Sequence, residues 1–344
     1  MLPTLFHRLF KQFAIRFQGI VFIIPTIHFL LFYKRYLKEK NGAVFPYPTN
    51  RSIAYRSNGK SLDWGHRLAT RIYPRIDTRV LGEDKWFKLD EKDFIQAQRS
   101  LSDLGFWICP TRVPDAPLKE FYDSARKRLL FSRSVDATED PIEEIAKSWN
   151  EDMVNLDTQW VTEQRLALDL ASSPSVLRIA SDYIGAEPRL SFPESWFSFP
   201  VQTVKKTSAK NWHWDCDGIK WLKVFVYIND VSSLNGPHAF VATSHRNWKT
   251  NNKSSRVLDD EIVQIYGRDR VQIFEALKGA VIFEDTRGFH RGTPLLEGHR
   301  LVLQIQFHLD GFGIGRPQVQ LTREYEDRFA RTPRVLDLLR GPMQ

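Results

Sequence analysis

Cysteine is nearly missing from this 344-residue chain: Cys109 and Cys216 are the only two. Two thiols cannot make a disulfide framework or a cysteine-based zinc site, and a reducing compartment is the simpler setting. No internal repeat and no low-complexity tract occurs, which excludes solenoids and long disordered tails. With 26% charged and 42% hydrophobic residues the composition is that of an ordinary globular protein, long enough for one large core with added segments or for two domains. No Ser/His/Asp or Cys/His pairing suited to nucleophilic catalysis stands out. Acidic residues are nearly absent from one end alone. Residues 1–60 hold ten Lys and Arg against a single acid, Glu39, a net of +9, whereas the other 284 carry 39 basic and 40 acidic side chains. The formal charge of +8 is therefore the property of one segment. That segment is also apolar, so it fits a membrane surface and not a nucleic acid.

Within it, Phe17–Tyr33 is a run of 17 residues without Lys, Arg, Asp or Glu. This is the short end of the roughly 17–25 residues a spanning helix needs. Arg16 on one side and Lys34 and Arg35 on the other leave the positive-inside rule without a preferred orientation. A membrane-inserted or in-plane anchor, a buried helix packed on the domain, and a cleaved targeting peptide all remain open. The expected organisation is a hydrophobic, basic segment at 1–40, a linker or surface arm at 41–85, a catalytic domain at 86–320 and a C-terminal tail at 321–344. The expected location is the cytoplasm or the cytoplasmic side of a membrane, with residues 1–40 as the membrane-associating part.

Periodicity changes character near Pro188. Before it, helices are expected over Leu89–Leu104, Leu118–Phe131, Thr162–Leu170 and Ser175–Ile184, the last closed by Gly185, with a short strand at Phe106–Cys109. After it, short β-type runs dominate: Arg189–Phe192, Trp196–Phe199, Lys223–Ile228, Ala239–Val241, Ala280–Phe283 and Leu301–His308. Helices followed by many short strands indicate an α+β, mainly β chain: a double-sheet jelly roll with helices packed on one side.

The chemistry concentrates in Asn211-Trp-His-Trp-Asp-Cys-Asp217. His213 and Asp215 are two residues apart, so on an extended strand their side chains leave the same face. His290 ends a loop that follows the apolar run Gly279–Asp285, and Arg300 comes ten residues later at the start of another strand. Two imidazoles and one carboxylate are the facial set of non-haem Fe(II) oxygenases, and a guanidinium fork suits a carboxylate. A His-x-Asp alone is usually a surface hydrogen-bonded pair; the strand context, His290 and Arg300 turn the odds toward metal. Lys223, Phe225 and Tyr227 share a strand face, so Lys223 either reaches into the site or runs out to solvent. Trp196 and Trp212 are candidates for the cavity wall. Cys216 reads as a small filler, and His238 and His245 as structural or mouth-lining groups.

Taken in order, Gly105-Phe-Trp-Ile, Tyr183-Ile-Gly185, His213-x-Asp215, Lys223–Val231, Asn235-Gly-Pro237, Thr243-Ser-His-Arg246, His290-x-Gly292 and Arg300 resemble the phytanoyl-CoA dioxygenase family over roughly residues 90–310. The resemblance implies a double-stranded β-helix, cupin-like, with Fe(II) held by His213, Asp215 and His290. It implies 2-oxoglutarate as co-substrate with its distal carboxylate on Arg300, O2 as oxidant, ascorbate as a useful additive in vitro, and release of succinate and CO2. With Asp215 present, hydroxylation is the expected outcome, on a small-molecule or lipid-like substrate. One departure stands out: family members often carry Ser where this chain has Gly292, which leaves Thr293, a group on another strand, or nothing to make that co-substrate contact. Two other classes stay open, an impaired jelly-roll binding protein and a cupin-type dioxygenase that does not use 2-oxoglutarate.

Overall fold

The computed structural model describes residue 54, residues 57–309 apart from 72, 78–82, 134, 136, 137, 139, 150, 192, 203–207 and 248–255, and residues 323–330. The charge-free run at 17–33, with all of the segment 1–40, lies outside the described residues. Among those described, no helix is long and apolar enough to cross a membrane.

Where an irregular arm was expected, Lys60–Ala69 forms a helix, α1, that buries Leu62, Gly65 and Ala69. It is tied down by His66 Nε2, 2.7 Å from the Ile184 carbonyl oxygen. Helix α2 (Glu91–Asp103) starts at a reciprocal cap in which Asp90 and Asp93 each accept from the other's backbone N–H. Strand β1 (Phe106–Ile108) and helices α3 (Asp115–Ser132) and α4 (Ile142–Ala146) follow, then a strand not anticipated, β2 (Met153–Asn155). The single helix expected at Thr162–Leu170 is two, α5 (Thr158–Glu163) and α6 (Arg165–Ala171). Gln164 between them has an extended ψ of 134°, and a one-residue break leaves the apolar spacing almost undisturbed. Helix α7 (Pro174–Ile184) has Ser173 as N-cap and Pro174 in its first turn, and it ends at Gly185, φ 77°, the left-handed stop that the sequence implied.

Among the described residues twelve strands form two antiparallel sheets: β3 (Arg189–Leu190), β4 (Glu194–Ser198), β5 (Trp212–His213), β6 (Trp221–Tyr227), β7 (His238–Val241), β8 (Arg256–Val257), β9 (Val271–Phe274), β10 (Val281–Glu284), β11 (His290–Gly292) and β12 (Arg300–His308) join β1 and β2. Helix α8 (Asp259–Tyr266) interrupts them, and α9 (Arg323–Phe329) comes last. The larger sheet runs β1-β10-β6-β12-β4-β2, with β3 also paired to β12; the smaller runs β8-β5-β11-β7-β9.

Strands β6 and β12 are buried along their whole length, which a sheet covered on both faces requires. Their two side-chain sets divide cleanly. Leu222, Val224 and Val226 with Leu301, Leu303, Ile305 and Phe307 join the main core, shared with Val176, Leu177 and Ala180 of α7 and Leu166 and Leu170 of α6. The alternate set, Phe225, Tyr227 and Val302, packs with Phe240 and Phe274 of the smaller sheet. Tyr227 also donates its hydroxyl to the Phe274 carbonyl and receives the His238 N–H, a clasp between the sheets. The helices therefore cover one face of the larger sheet, and the other face looks across at the smaller sheet.

Candidate metal centre

Between the two sheets lies a cavity of about 340 Å³. Strands β5 and β11 of the smaller sheet are antiparallel neighbours with His290 directly opposite His213. Directly opposed residues of such a pair project from the same face. The two rings accordingly lie 4.2 Å apart, centroid to centroid.

Asp215 reaches them differently from the shared strand face expected. Strand β5 ends at His213, and Asp215 sits in the following loop, where its N–H donates to the Thr286 carbonyl at 2.8 Å. Thr286 belongs to the loop that delivers His290, so the two loops are laced together. The result is a compact donor set: one atom from each of His213, Asp215 and His290 lie within 4.8 Å of one another, and His290 Nε2 is 3.5 Å from Asp215 Oδ2.

The ring tautomers follow from the backbone. His213 Nδ1 is 2.9 Å from the Asn211 carbonyl oxygen and His290 Nδ1 is 2.9 Å from that of Gly288. Carbonyls only accept, so each Nδ1 carries the proton and each Nε2 presents its lone pair to the shared point. Burial pushes the His213 imidazole well below its ordinary pKa and that of His290 down to about 4, so both are neutral near pH 7. Burial would raise Asp215, but the Lys223 ammonium and the two imidazoles outweigh it and hold the carboxyl well below the usual carboxylate range. Two neutral imidazoles and an ionised carboxylate, with other positions open toward a cavity, fit a divalent first-row metal.

Lys223 takes the inward of the two orientations considered. Its Nζ lies 2.7 Å from Asp215 Oδ2 and 3.2 Å from Asp217 Oδ2. Burial would lower its pKa, but those two carboxylates outweigh it and keep the amine charged.

Arg300 lines the same cavity from β12 and is 4% exposed. Its Nη1 donates to the Gly236 carbonyl, Nη2 lies 3.5 Å from Ser198 Oγ, and Nε has no partner. No carboxylate pairs with it among the described residues, and burial depresses its pKa. A buried cation without a counter-charge among the described residues costs several kcal/mol, on the order expected for desolvated ions.

Other expected residues divide. Trp196 lines the cavity, whereas Trp212 turns away and donates Nε1 to Asp259 Oδ1 at 2.7 Å. Thr293 is not among the residues lining the cavity, and its hydroxyl donates to the Pro237 carbonyl at 2.8 Å. His238 lines the cavity with Nε2 2.8 Å from Glu284 Oε2, while His245 lies elsewhere, Nε2 3.1 Å from the Ser102 carbonyl oxygen. Cys216 is fully buried.

Three groups escaped the sequence. Glu284 is fully buried with its pKa raised well above the ordinary range by burial, and the signal for it was an acid closing an apolar strand. Ser198 and Lys210 both line the cavity, and nothing in their local sequence marked them.

No family model matches the chain, and no curated protein matches it. Solved structures of similar shape include the non-haem alpha-ketoglutarate-dependent carbocyclase SnoK from nogalamycin biosynthesis, at 15% identity over 66% of this chain and 87% of that one, TM-score 0.45. The epimerase SnoN in complex with Fe3+, alpha-ketoglutarate and nogalamycin RO aligns at 16% identity over 68% and 93%, TM-score 0.47. EctD from S. alaskensis aligns at 18% over 71% and 88%, TM-score 0.45. At such identities and scores, what the site does has to be read from its own residues.

Proposed function

We propose that this chain is an Fe(II)- and 2-oxoglutarate-dependent oxygenase that hydroxylates a compact substrate held between the two sheets, on a double-stranded β-helix. The observation that carries this reading is the pairing of a two-imidazole, one-carboxylate donor set with a buried, uncompensated guanidinium in one cavity. His213, Asp215 and His290 are the residues that would hold the iron. Bound there with 2-oxoglutarate and O2, the iron supplies oxidative decarboxylation to succinate and CO2 coupled to hydroxylation of an inert C–H bond.

The chain's own residues do the rest. Asn211 and Gly288 carbonyls fix the two imidazole tautomers, and Thr286 holds the backbone of Asp215. Arg300 receives the distal carboxylate of the co-substrate and thereby orients its keto acid toward the donor set. Lys223, committed to Asp215 and Asp217, keeps the ligand carboxylate ionised and aimed. Phe225 and Trp196 supply apolar wall beside the donor set.

The wall also bears on substrate class. Asn155, Thr158, Glu194, Ser195 and Gln304 stand beside Leu156 and Trp196. A cavity of this size with so many hydrogen-bonding groups favours a compact polar metabolite over a long-chain lipid.

The test is uncoupled turnover. Purified protein supplied with Fe(II), ascorbate, O2 and labelled 2-oxoglutarate is expected to release succinate and CO2 slowly without any primary substrate, and His213→Ala is expected to abolish the release. Silence in the unaltered protein, with Fe(II) bound, would favour a binding protein or a metal dioxygenase of another type.

A further inference from the structure

Arg300 is not the only buried cation at its end of the cavity. Lys210, 5% exposed, lines it from the loop that precedes β5, and its Nζ donates to the Phe199 carbonyl at 2.8 Å. That loop is pinned beside the fork, because Gly292 N–H donates to the Ala209 carbonyl at 3.2 Å. The neighbours whose charges act on Lys210 are Asp152 and Arg300, whereas Lys223 answers to Asp215, Asp217 and Glu194. The two lysines thus answer to different charges within one cavity. No carboxylate is ion-paired with Lys210 among the described residues. Burial, with a smaller contribution from Arg300 and against the pull of Asp152, brings its pKa down to about 8, which leaves it largely charged near pH 7.

A third donor completes the group. Ser198 stands directly opposite Arg300 across β4 and β12, is 1% exposed, and has its Oγ 3.5 Å from Nη2. Gly292 has no side chain to offer, and the reason is steric: a Cβ there would lie 2.6 Å from Arg300 Nη2, so the fork occupies that space. A carboxylate in a water-poor pocket has about four lone-pair sites, and a guanidinium edge fills two of them.

We infer that Lys210 and Ser198 complete, with Arg300, a three-sided clamp for the distal carboxylate of the dicarboxylate co-substrate, taking over the contact that a hydroxyl at position 292 would make. This rests on the function proposed above. It assigns Lys210 to co-substrate binding and not to metal binding.

The experiment is equilibrium binding to the full chain loaded with Ni(II), which supports no turnover, read by calorimetry with two probes. One is 2-oxoglutarate; the other is 2-oxobutanoate, which keeps the keto acid and lacks the second carboxylate. Lys210→Met is expected to weaken 2-oxoglutarate about tenfold, the scale of one charge-assisted hydrogen bond, with Ni(II) and 2-oxobutanoate unchanged. Lys210→Arg should restore most of the loss, and Ser198→Ala should weaken 2-oxoglutarate alone by about threefold, the scale of one neutral hydrogen bond; these two carry the test if Lys210→Met does not fold. Unaltered 2-oxoglutarate binding in Lys210→Met, beside its loss in Arg300→Leu, overturns the clamp and leaves the proposed function standing. Equal weakening of both probes also overturns it, by making Lys210 a support for the loop. If the unaltered chain binds Ni(II) but neither oxo acid, the proposed function falls and the clamp with it.

Discussion

Two clusters of buried charge sit side by side in this molecule, separated by one strand end. In the first, Asp285 is fully buried and surrounded: Tyr183 donates its hydroxyl at 2.5 Å, Lys220 Nζ lies 3.2 Å away, and Arg287 approaches with Nε at 2.9 Å and Nη2 at 2.8 Å. Arg287 reaches on to Asp63 of α1 at 3.0 Å, and Lys220 lies over the Tyr183 ring at 3.7 Å. In the second, the donor set and Lys223 face a cavity whose far end holds Arg300 with an unpartnered Nε. Both clusters are buried and both contain acids held far below their usual range. Among the described residues the second has a cavity and a charge without a carboxylate partner. Burial with perturbed titration is therefore shared by a structural knot and a site, and what separates them is the bookkeeping of partners.

The sharpest way to break this comparison is to remove one arginine from each cluster. Arg287→Ala strips the principal partner from a fully buried carboxylate and is expected to cost about 3–5 kcal/mol in urea unfolding. Arg300→Leu removes a cation with no counter-charge and should leave stability within about 1 kcal/mol of the unaltered chain, or above it, while 2-oxoglutarate binding is lost. Equal destabilisation by the two would show that Arg300 is paired after all.

A metal titration sharpens the contrast next. Ni(II) at a hundred times its Kd should stabilise the chain by about 2.7 kcal/mol, and His213→Ala should erase that gain without lowering the metal-free stability comparably. Arg287→Gln should keep the metal response while losing stability.

The pH profile is a subtler check. Burial sets the His290 pKa at about 4 and holds His213 well below its ordinary value, so protons compete for the imidazoles only below that range. Metal affinity is expected to stay level from pH 7.5 to about 5, whereas an ordinary imidazole site would weaken below about 6.5. A decline beginning near pH 6.5 would mean the rings are better solvated than their burial implies.

The smallest effect expected is that of Gly292→Ser. Its Cβ would meet the far end of a flexible side chain at 2.6 Å, so Arg300 should swing aside and weaken 2-oxoglutarate binding by about three- to tenfold, on the order of one strained hydrogen bond, with metal binding intact.

Much of this was legible because it rests on spacing. Apolar periodicity locates α2, α3 and α7, and short β-type runs locate β6, β10 and β12, to within a few residues. His213, Asp215, His290 and Arg300 announced themselves by residue type and order. Other parts left weaker traces. Strand β9 reads Val-Gln-Ile-Phe, an alternation too short to separate from loop, and α8 shows only the acidic first turn of Asp259, Asp260 and Glu261. Asp215 was expected on the strand because the two-residue spacing allows it; the backbone bond to Thr286 that holds it in a loop joins residues 71 apart. Lys210 and Ser198 carry no local mark for the same reason: what makes each notable is its neighbours in space.

The opposition of His213 and His290 has one more consequence. Strands β5 and β11 span two and three residues, among the shortest in the fold. Sliding one past the other by a single step would turn Phe289 or Arg291 inward in place of His290. An ion held between the imidazoles would accept only the native alignment, and would act as a rivet that proofreads the assembly of the smaller sheet.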